Sequence, residues 1–333
     1  MQYAGYLTAA VATLSAAYVS YKYLTRPYHS YDDATHFFRG KCVWVTGASS
    51  GIGKALAIEL FRAGAQVCLT GRNAATLQAV VDEDLAAVRT SHSIDPFIIP
   101  LDIGEVAHNR ELADEAVAKA LHSSISGKID VMIHNAGVSV RGSSLTMQTS
   151  VDQSIFDVNV FGPVALTRAL FAKNALAPGS NVCAITSVQA KLPIAFRGAY
   201  AGSKHALQAY LDSMRLELEN YGISVTTILP GYVATSLSKN ALTADGSKYN
   251  MMDANTASGL PAQTVAQKTL FAIACGEPEV WLAPFSSRAA MLLYNVTPDL
   301  IRQFLRSKAK KEMHTNVPTP AAPVAATPSS ASS

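Results

Sequence analysis

Short apolar runs rich in β-branched residues recur along the body of the chain, and the stretches between them carry apolar residues at a helical period. Each run is nearly continuous in its apolar character, as is typical of strands buried on both faces of a sheet. The predicted strands cover residues 42–46, 66–70, 96–101, 129–133, 181–186, 224–229 and 279–282. Strands that alternate with helices predict an α/β fold with a doubly wound parallel sheet in a single domain.

The two ends of the chain depart from this pattern. Residues 1–21 carry no charged side chain, and their apolar segment, flanked by tyrosines, is just long enough to span a bilayer. We therefore predict that residues 1–26 form a membrane anchor, with a cleaved signal peptide or a helix lying on the membrane surface as alternatives. Lys22 and Arg26 follow the segment and favour a cytosolic domain. Residues 316–333, mostly Pro, Ala, Ser, Thr and Val, are predicted to be a disordered tail.

Composition narrows the classes of function. Of 333 residues, 49% are hydrophobic and 15% are charged, which is enough apolar material for one large core. The formal net charge of +3 is too small and too dispersed to predict a nucleic-acid partner. The four cysteines are far apart and form no C-x-x-C pair, which favours reduced core thiols over a disulfide or a metal site: Cys42, Cys68, Cys183 and Cys275.

A glycine-rich turn follows the first predicted strand and leads directly into a predicted helix. It reads Thr46-Gly47-Ala48-Ser49-Ser50-Gly51-Ile52-Gly53. A backbone that approaches a pyrophosphate has no room for Cβ atoms, and the amides at a helix N-terminus attract the anion. The turn therefore predicts a dinucleotide site in a Rossmann-type fold. An ordinary strand-to-helix turn, the alternative, needs only one glycine.

The end of the second predicted strand bears on the choice of cofactor. An NAD enzyme of this fold is expected to carry an acidic residue where Gly71 stands, to bind the ribose hydroxyls. Arg72 follows instead, and a guanidinium can form a bidentate pair with a 2′-phosphate. The sequence therefore predicts NADP(H) as the cofactor, and a solvated turn arginine is the alternative.

A tyrosine and a lysine lie one helical turn apart on the same face of a predicted helix. They are Tyr200 and Lys204. A phenol with a pKa of about 10 is a poor acid near neutrality, and a close ammonium brings that pKa toward the working range. Carbonyl reduction needs such a proton donor. A Tyr-x-x-x-Lys pair alone also occurs by chance among core or surface residues, so its interpretation depends on its neighbours. Ser187 follows the fifth predicted strand, and Asn159 lies in a helical stretch, where asparagine is unfavourable.

Together these motifs resemble the short-chain dehydrogenase/reductase family over residues 39–312. The resemblance implies that Ser187 and Tyr200 contact the substrate oxygen and that Tyr200 donates the proton. It also implies that Lys204 orients the ribose and that Asn159 holds a water in a relay to Lys204. For Ser187, a hydroxyl that caps the strand end is the alternative.

The same resemblance implies further contacts with the cofactor at the ends of later strands. For Asp102, capping of the next helix is the alternative, and at His134 the family carries an asparagine. The implied cofactor-binding residues at these later strand ends are Asp102, Asn135, Ala136, Gly137, Pro230, Gly231, Val233 and Thr235. They complete a set that also contains Thr46, Gly47, Ser49, Ser50, Gly51, Ile52, Gly53, Arg72, Tyr200 and Lys204.

The implied activity is the NADP(H)-dependent interconversion of a ketone and a secondary alcohol without a metal. Residues 232–259 are predicted to fold over the substrate as a lid. Among its polar residues this segment carries the apolar side chains Leu237, Leu242, Tyr249, Met251 and Met252. This apolar content favours a lipid-like substrate such as a steroid, a retinoid or an acyl-chain ketone.

Residues 200–206, 230–232 and 242–249 resemble the membrane-anchored subgroup called dehydrogenase/reductase SDR family member 7B. This likeness implies a single-pass protein of the endoplasmic reticulum, with the peroxisome as the alternative. Family members often form homodimers, and nothing in the sequence forbids one. Two rivals stay open: a membrane-tethered nucleotide-binding scaffold without turnover, which the intact catalytic set disfavours, and a nucleotide-sugar epimerase, which the glycine spacing disfavours.

Overall fold

The predicted strands pair into one seven-stranded parallel sheet in the order β3-β2-β1-β4-β5-β6-β9. The computed structural model describes residues 24–316. A small second sheet pairs β7 with β8. The strands are β1 Cys42–Thr46, β2 Gln66–Gly71, β3 Phe97–Pro100, β4 Val131–His134, β5 Asn181–Ile185, β6 Ser224–Pro230, β7 Val233–Ala234, β8 Leu260–Pro261 and β9 Glu279–Leu282.

Helices follow most of the strands, as the sequence pattern predicts. They are α1 Tyr31–Thr35, α2 Gly51–Arg62, α3 Ala74–Ala79, α4 Ile103–Val106, α5 Arg110–Ser123, α6 Thr149–Phe156, α7 Gly162–Ala172, α8 Gly198–Glu219, α9 Ala254–Ala257, α10 Ala262–Ala274, α11 Phe285–Val296 and α12 Pro298–Asn316. Short 3₁₀ turns cover His36–Phe38, Ala86–Val88 and Val188–Ala190, and π-helical turns cover Val80–Leu85 and Asp157–Phe161.

Alternate residues of the central strands enter two separate cores, one on each face of the sheet. Val43 and Val45 pack with residues of α2 and α10, whereas Trp44 packs on the other face with residues of α5, α7 and α8. The indole of Trp44 donates to Thr70 Oγ1 at 2.8 Å, so its polar atom is satisfied inside the core. Burial on both faces explains why the strands read as continuous apolar runs, and it confirms the predicted doubly wound sheet.

Most of the predicted anchor, residues 1–26, and nearly all of the predicted tail, residues 316–333, lie outside the described residues. Arg26, at the end of the predicted anchor, donates two hydrogen bonds to Glu277 Oε1, at 2.9 and 2.7 Å. Within residues 24–316, one helical stretch, residues 149–172, is long and apolar enough to cross a membrane. Because 56% of its apolar window is buried inside the domain, we interpret it as a core helix.

All four cysteines are free, as the sequence predicts. Cys42, Cys68 and Cys183 are buried in β1, β2 and β5, and Cys275 is half-buried. Burial raises the pKa of the Cys42 thiol to about 11 and also raises the pKa values of the Cys68 and Cys183 thiols. These thiols are therefore protonated and unreactive near neutrality.

Candidate active site

A cleft of about 840 Å³ lies beyond the carboxyl ends of the parallel strands. Such an edge is where doubly wound sheets bind their ligands. The cleft brings together most of the residues that the sequence singles out: Gly47, Ser49, Ser50, Gly51, Ile52, Arg72, Asp102, Asn135, Ala136, Gly137, Ser187, Tyr200, Lys204, Pro230, Gly231, Val233 and Thr235.

The glycine turn is packed so tightly that two of its positions exclude a side chain. Gly47 has φ +65°, and a Cβ there would lie 2.9 Å from Ala136 Cα. A Cβ on Gly53 would overlap Gly47 O and Asn135 Nδ2. Asn135 Nδ2 donates to Thr46 O at 2.9 Å, and Thr46 Oγ1 accepts from the amides of Asn135 and Ala136 at 3.0 and 3.1 Å.

Two of the predicted cofactor-binding residues lie behind the cleft. Thr46 and Gly53 are not among the residues that line it. Instead, the Thr46 hydroxyl joins the turn after β1 to the turn after β4, and Gly53 allows α2 to pack against that junction. Both act behind the wall of the cleft.

The N-terminus of α2 faces the cleft with its first backbone amides. Ser50 is the N-cap residue, and its side chain makes no capping hydrogen bond. Unsatisfied amides at a helix N-terminus favour an anion such as a pyrophosphate. Gly51, the first residue of the helix, has φ +55°. The turn, with no room for side chains at Gly47 and free amides at α2, fits the phosphates of a dinucleotide.

The region after β2 and β3 forms another part of the cleft. Arg72 is exposed and lines the cleft beside Ser49 and Gly71. Asp102 also lines it, but its Oδ1 accepts from the Gly104 amide at 2.8 Å and caps α4. The alternative reading of Asp102 as a helix cap is therefore correct, and its position on the cleft leaves a second role open to it.

Tyr200 and Lys204 both lie on the buried face of α8, where they are 6% and 4% exposed. Lys204 Nζ donates to Ile185 O at 3.0 Å and lies 5.8 Å from the centre of the Tyr200 ring. Burial lowers the pKa of Lys204 to about 8. The Ser187 hydroxyl lies in the same wall of the cleft and accepts from the Gln189 amide at 3.1 Å, so it caps the strand end as well.

The electrostatics around Tyr200 differ from the prediction. Burial raises the pKa of the phenol, and a hydrogen bond with Ser187 and the charges of Arg197 and Arg141 oppose this rise. The sequence predicts Lys204 as the cation that lowers this pKa. In the structure, two guanidinium groups that the sequence motifs do not include oppose the rise.

Asn159 lies in the π-helical turn between α6 and α7 and is fully buried. Its Nδ2 donates to Val138 O and to Ser203 Oγ, both at 2.9 Å, and its Oδ1 accepts from the Val138 amide at 2.8 Å. Ser203 Oγ in turn donates to Tyr200 O at 2.8 Å. Both amide protons are thus used by protein atoms, and Asn159 joins the turn after β4 to α8 without lining the cleft.

His134, which replaces the asparagine that the family carries, points away from the cleft. It is 2% exposed, and its Nε2 lies 2.7 Å from Thr167 Oγ1 on α7. Burial lowers the pKa of this imidazole to about 3, so it is neutral near pH 7. The turn that contains Asn135 is formed without it, because Thr46 provides the hydrogen bonds.

Arg141 and Arg197 are the principal residues that sequence reasoning missed. Both line the cleft, and both pair with Asp253. A usable signal was that Arg197 immediately precedes α8, the helix that carries Tyr200. The partner Asp253 is 56 residues further along the chain, so no local pattern joins the two.

Comparison with known proteins agrees with this geometry. The sequence model of the family described as short chain dehydrogenase matches residues 41–246. The chain therefore belongs to the short-chain dehydrogenase/reductase family. This membership confirms the resemblance drawn from the motifs.

Within this family, the chain is similar to proteins named dehydrogenase/reductase SDR family member 7B. It is 38% identical to the Xenopus tropicalis protein over 277 residues, which cover 83% of this chain and 88% of that one. It is 39% identical to the Mus musculus protein over 279 residues, which cover 83% of each chain. These likenesses agree with the subgroup that the motifs indicate.

Solved structures of short-chain dehydrogenases share the fold. One from Burkholderia phymatum, in complex with NAD, has a TM-score of 0.67 at 23% identity and covers 79% of this chain and 95% of that one. One from Burkholderia cenocepacia, in complex with NADP, has a TM-score of 0.61 at 24% identity, and the match covers 74% of this chain and 97% of that one. At these identities the likeness concerns the fold alone.

Proposed function

We propose that this protein is an NADP(H)-dependent oxidoreductase that interconverts a ketone and a secondary alcohol. The observation that carries the proposal is that one cleft contains both the tightly packed glycine turn at Gly47 and the buried group of Ser187, Tyr200 and Lys204. A protein that only bound a nucleotide would have no use for a phenol and a hydroxyl beside the nucleotide site.

The preference for NADP(H) over NAD(H) rests on the end of β2. Gly71 provides no carboxylate for ribose hydroxyls, and the exposed guanidinium of Arg72 lines the cleft. A guanidinium attracts a 2′-phosphate, and a carboxylate would repel it. When bound, the cofactor supplies the hydride for the reduction of the carbonyl carbon.

Tyr200 is the proton donor in this proposal. Because burial raises the pKa of its phenol, the group retains its proton near neutrality and can give it to a developing alkoxide. Ser187 shares a hydrogen bond with the phenol and can hold the same substrate oxygen. Lys204, with a pKa of about 8, is protonated at pH 7 and stabilises negative charge nearby. At neutral pH the phenol is therefore in the protonated form that the reduction requires.

The substrate end of the cleft is lined in part by the predicted lid, residues 232–259. Tyr232, Leu237 and Leu242 line the cleft, whereas Met251 and Met252 are half exposed and do not. These apolar walls support an apolar, lipid-like substrate such as a steroid, a retinoid or an acyl-chain ketone. An anchor in residues 1–26 would hold the domain beside such lipids, at the endoplasmic reticulum or, as the alternative, at the peroxisome.

The test uses the full-length protein in detergent with panels of steroids, retinoids and acyl-chain ketones. We expect consumption of NADPH matched by an equal amount of secondary alcohol, and slower consumption of NADH. Tight binding of NADPH with no consumption across the panels would instead favour the membrane-tethered scaffold.

A further inference from the structure

Two guanidinium groups share one carboxylate at the substrate end of the cleft. Arg141 donates to Asp253 Oδ2 from Nε at 3.0 Å and from Nη2 at 2.5 Å, and Arg197 donates to the same oxygen from Nη2 at 3.0 Å. The side chains of the three residues are 10%, 10% and 15% exposed. This cluster, Arg141–Asp253–Arg197, is therefore largely removed from bulk water.

The charges of the cluster do not balance. Two cations face one anion, and the acidic residues that line the cleft, Asp102, Glu105 and Asp157, lie on or beside α4 at the cofactor end. A buried charge without a partner is costly, so an excess positive charge in a cleft indicates a negatively charged ligand.

The two arginines differ in how many of their N–H groups already donate a hydrogen bond. Arg141 makes four, because its Nη1 also donates to Ser139 Oγ at 2.8 Å and to Val140 O at 2.9 Å. Within residues 24–316, the side chain of Arg197 donates one hydrogen bond, the one to Asp253. A guanidinium has five N–H groups, so most of the donors of Arg197 are unused while the residue lines the cleft.

The cluster is close to the proton donor. Arg197 precedes Tyr200 by three residues at the start of α8, and the charges of Arg197 and Arg141 both reach the phenol strongly enough to oppose the rise in its pKa. A group bound by Arg197 would therefore belong to a substrate whose carbonyl lies against Tyr200 and Ser187.

We propose that Arg197 binds an anionic group of the substrate, a carboxylate or a phosphate monoester, while Asp253 and Arg141 hold its guanidinium in place. This inference rests on the proposed ketone reduction and refines its substrate class. The ligand is an amphiphile whose anionic end pairs with Arg197 and whose apolar part contacts the walls at Leu237 and Leu242. The planar fork of a guanidinium suits either anion, because both accept two parallel hydrogen bonds.

The test measures binding without turnover, by calorimetry on the full-length protein saturated with NADP⁺, which cannot reduce a ketone. Two matched pairs of ligands separate the two anions: a long-chain 4-oxo acid with its methyl ester, and a 1-hydroxyalkan-2-one phosphate with its unphosphorylated parent. We expect the anionic member of at least one pair to bind about tenfold to hundredfold more tightly than its neutral partner.

Three variants assign the preference to a residue. Arg197→Gln should abolish it, and Arg197→Lys should restore part of it, because the lysine keeps the charge and loses the fork. Arg89→Gln, which removes an exposed guanidinium that does not line the cleft, should leave the preference unchanged. To show that Arg197→Gln is folded, its dissociation constant for NADP⁺ is measured and should lie within about twofold of the wild-type value, a change smaller than the loss of one hydrogen bond would cause.

The inference is overturned if the neutral ligands bind as tightly as the anionic ones, or if Arg197→Gln keeps the full preference. A failure of this inference can be distinguished from a failure of the proposed function. If the protein reduces neutral ketones and shows no preference for anionic ligands, the anion site is contradicted and the proposed reductase activity stands. An anionic preference that depends on Arg197, in a protein that consumes no NADPH, would support the anion site and contradict the reductase.

Discussion

Cofactor choice is the feature for which this structure allows the sharpest prediction, and the change is Gly71→Asp together with Arg72→Ala. Arg72 is exposed, so water and salt screen its pairing with a 2′-phosphate. We therefore take the lower end of the range for a charge-assisted hydrogen bond, about 1.5 kcal/mol, which corresponds to about a tenfold preference for NADPH.

The added carboxylate can be accommodated. A Cβ on Gly71 would lie 3.3 Å from Leu77 Cδ2 and 3.7 Å from Ser49 Oγ, so a small movement of the flexible leucine end makes room. The new negative charge would repel a 2′-phosphate and accept hydrogen bonds from the ribose hydroxyls of NADH. We expect the double variant to bind NADPH about tenfold to hundredfold more weakly, with NADH binding unchanged or improved.

The assay is titration of nicotinamide fluorescence with each cofactor, at low and at high salt. The loss of NADPH affinity should shrink as salt is raised, because the lost pair is exposed. Arg89→Ala, at an exposed arginine outside the cleft, is the matched control and should change neither constant. Equal losses for NADPH and NADH in the double variant would show that Arg72 is a solvated turn residue.

Three further predictions test other parts of the account. His134→Asn should remove a loss of stability in acid, because a histidine in the unfolded chain takes up a proton below its pKa of 6.5, whereas buried His134 does so only near 3. Between pH 7 and pH 5 the free energy of unfolding of the wild type should therefore fall by about 2 kcal/mol more than that of the variant, as measured by urea unfolding. Gly53→Ala should cost about 1–3 kcal/mol and weaken NADPH binding, because its Cβ would overlap Gly47 O; an unchanged melting temperature would contradict this packing. Deleting residues 1–24 should release the protein from membranes and preserve NADPH binding, and a truncated protein found wholly in the membrane fraction would place the anchor elsewhere.

The sheet was predictable because its signal is local. Each strand is buried on both faces, so its apolar run is visible in the sequence, and the observed ends of the strands agree with the predicted ones within two residues. The glycine turn was predictable for a similar reason, since contiguous residues form it. The roles of Thr46 and Gly53 behind the cleft wall were not, because they depend on the turn at Asn135, which comes from a distant strand.

The substrate end of the site was the least predictable part. Asp253 lies in the segment between β7 and β8, and its contacts with Arg141 and Arg197 span 112 and 56 residues. The prediction of a lid with apolar side chains came from composition. Composition shows that Met251 and Met252 are present, but it does not show that they lie outside the lining of the cleft. Side-chain direction in an irregular segment follows from tertiary contacts, so sequence periodicity carries no information about it.

The most direct test of the central claim, that Tyr200 donates the proton in a reduction by NADPH, is a single-turnover measurement on Tyr200→Phe. The phenylalanine ring keeps the packing on α8 and lacks the hydroxyl. We expect the rate of NADPH oxidation by a ketone to fall by about 10²- to 10⁴-fold while the dissociation constant for NADPH stays within about twofold of the wild-type value. A rate within a few-fold of the wild type would show that Tyr200 is not the acid and would contradict the account.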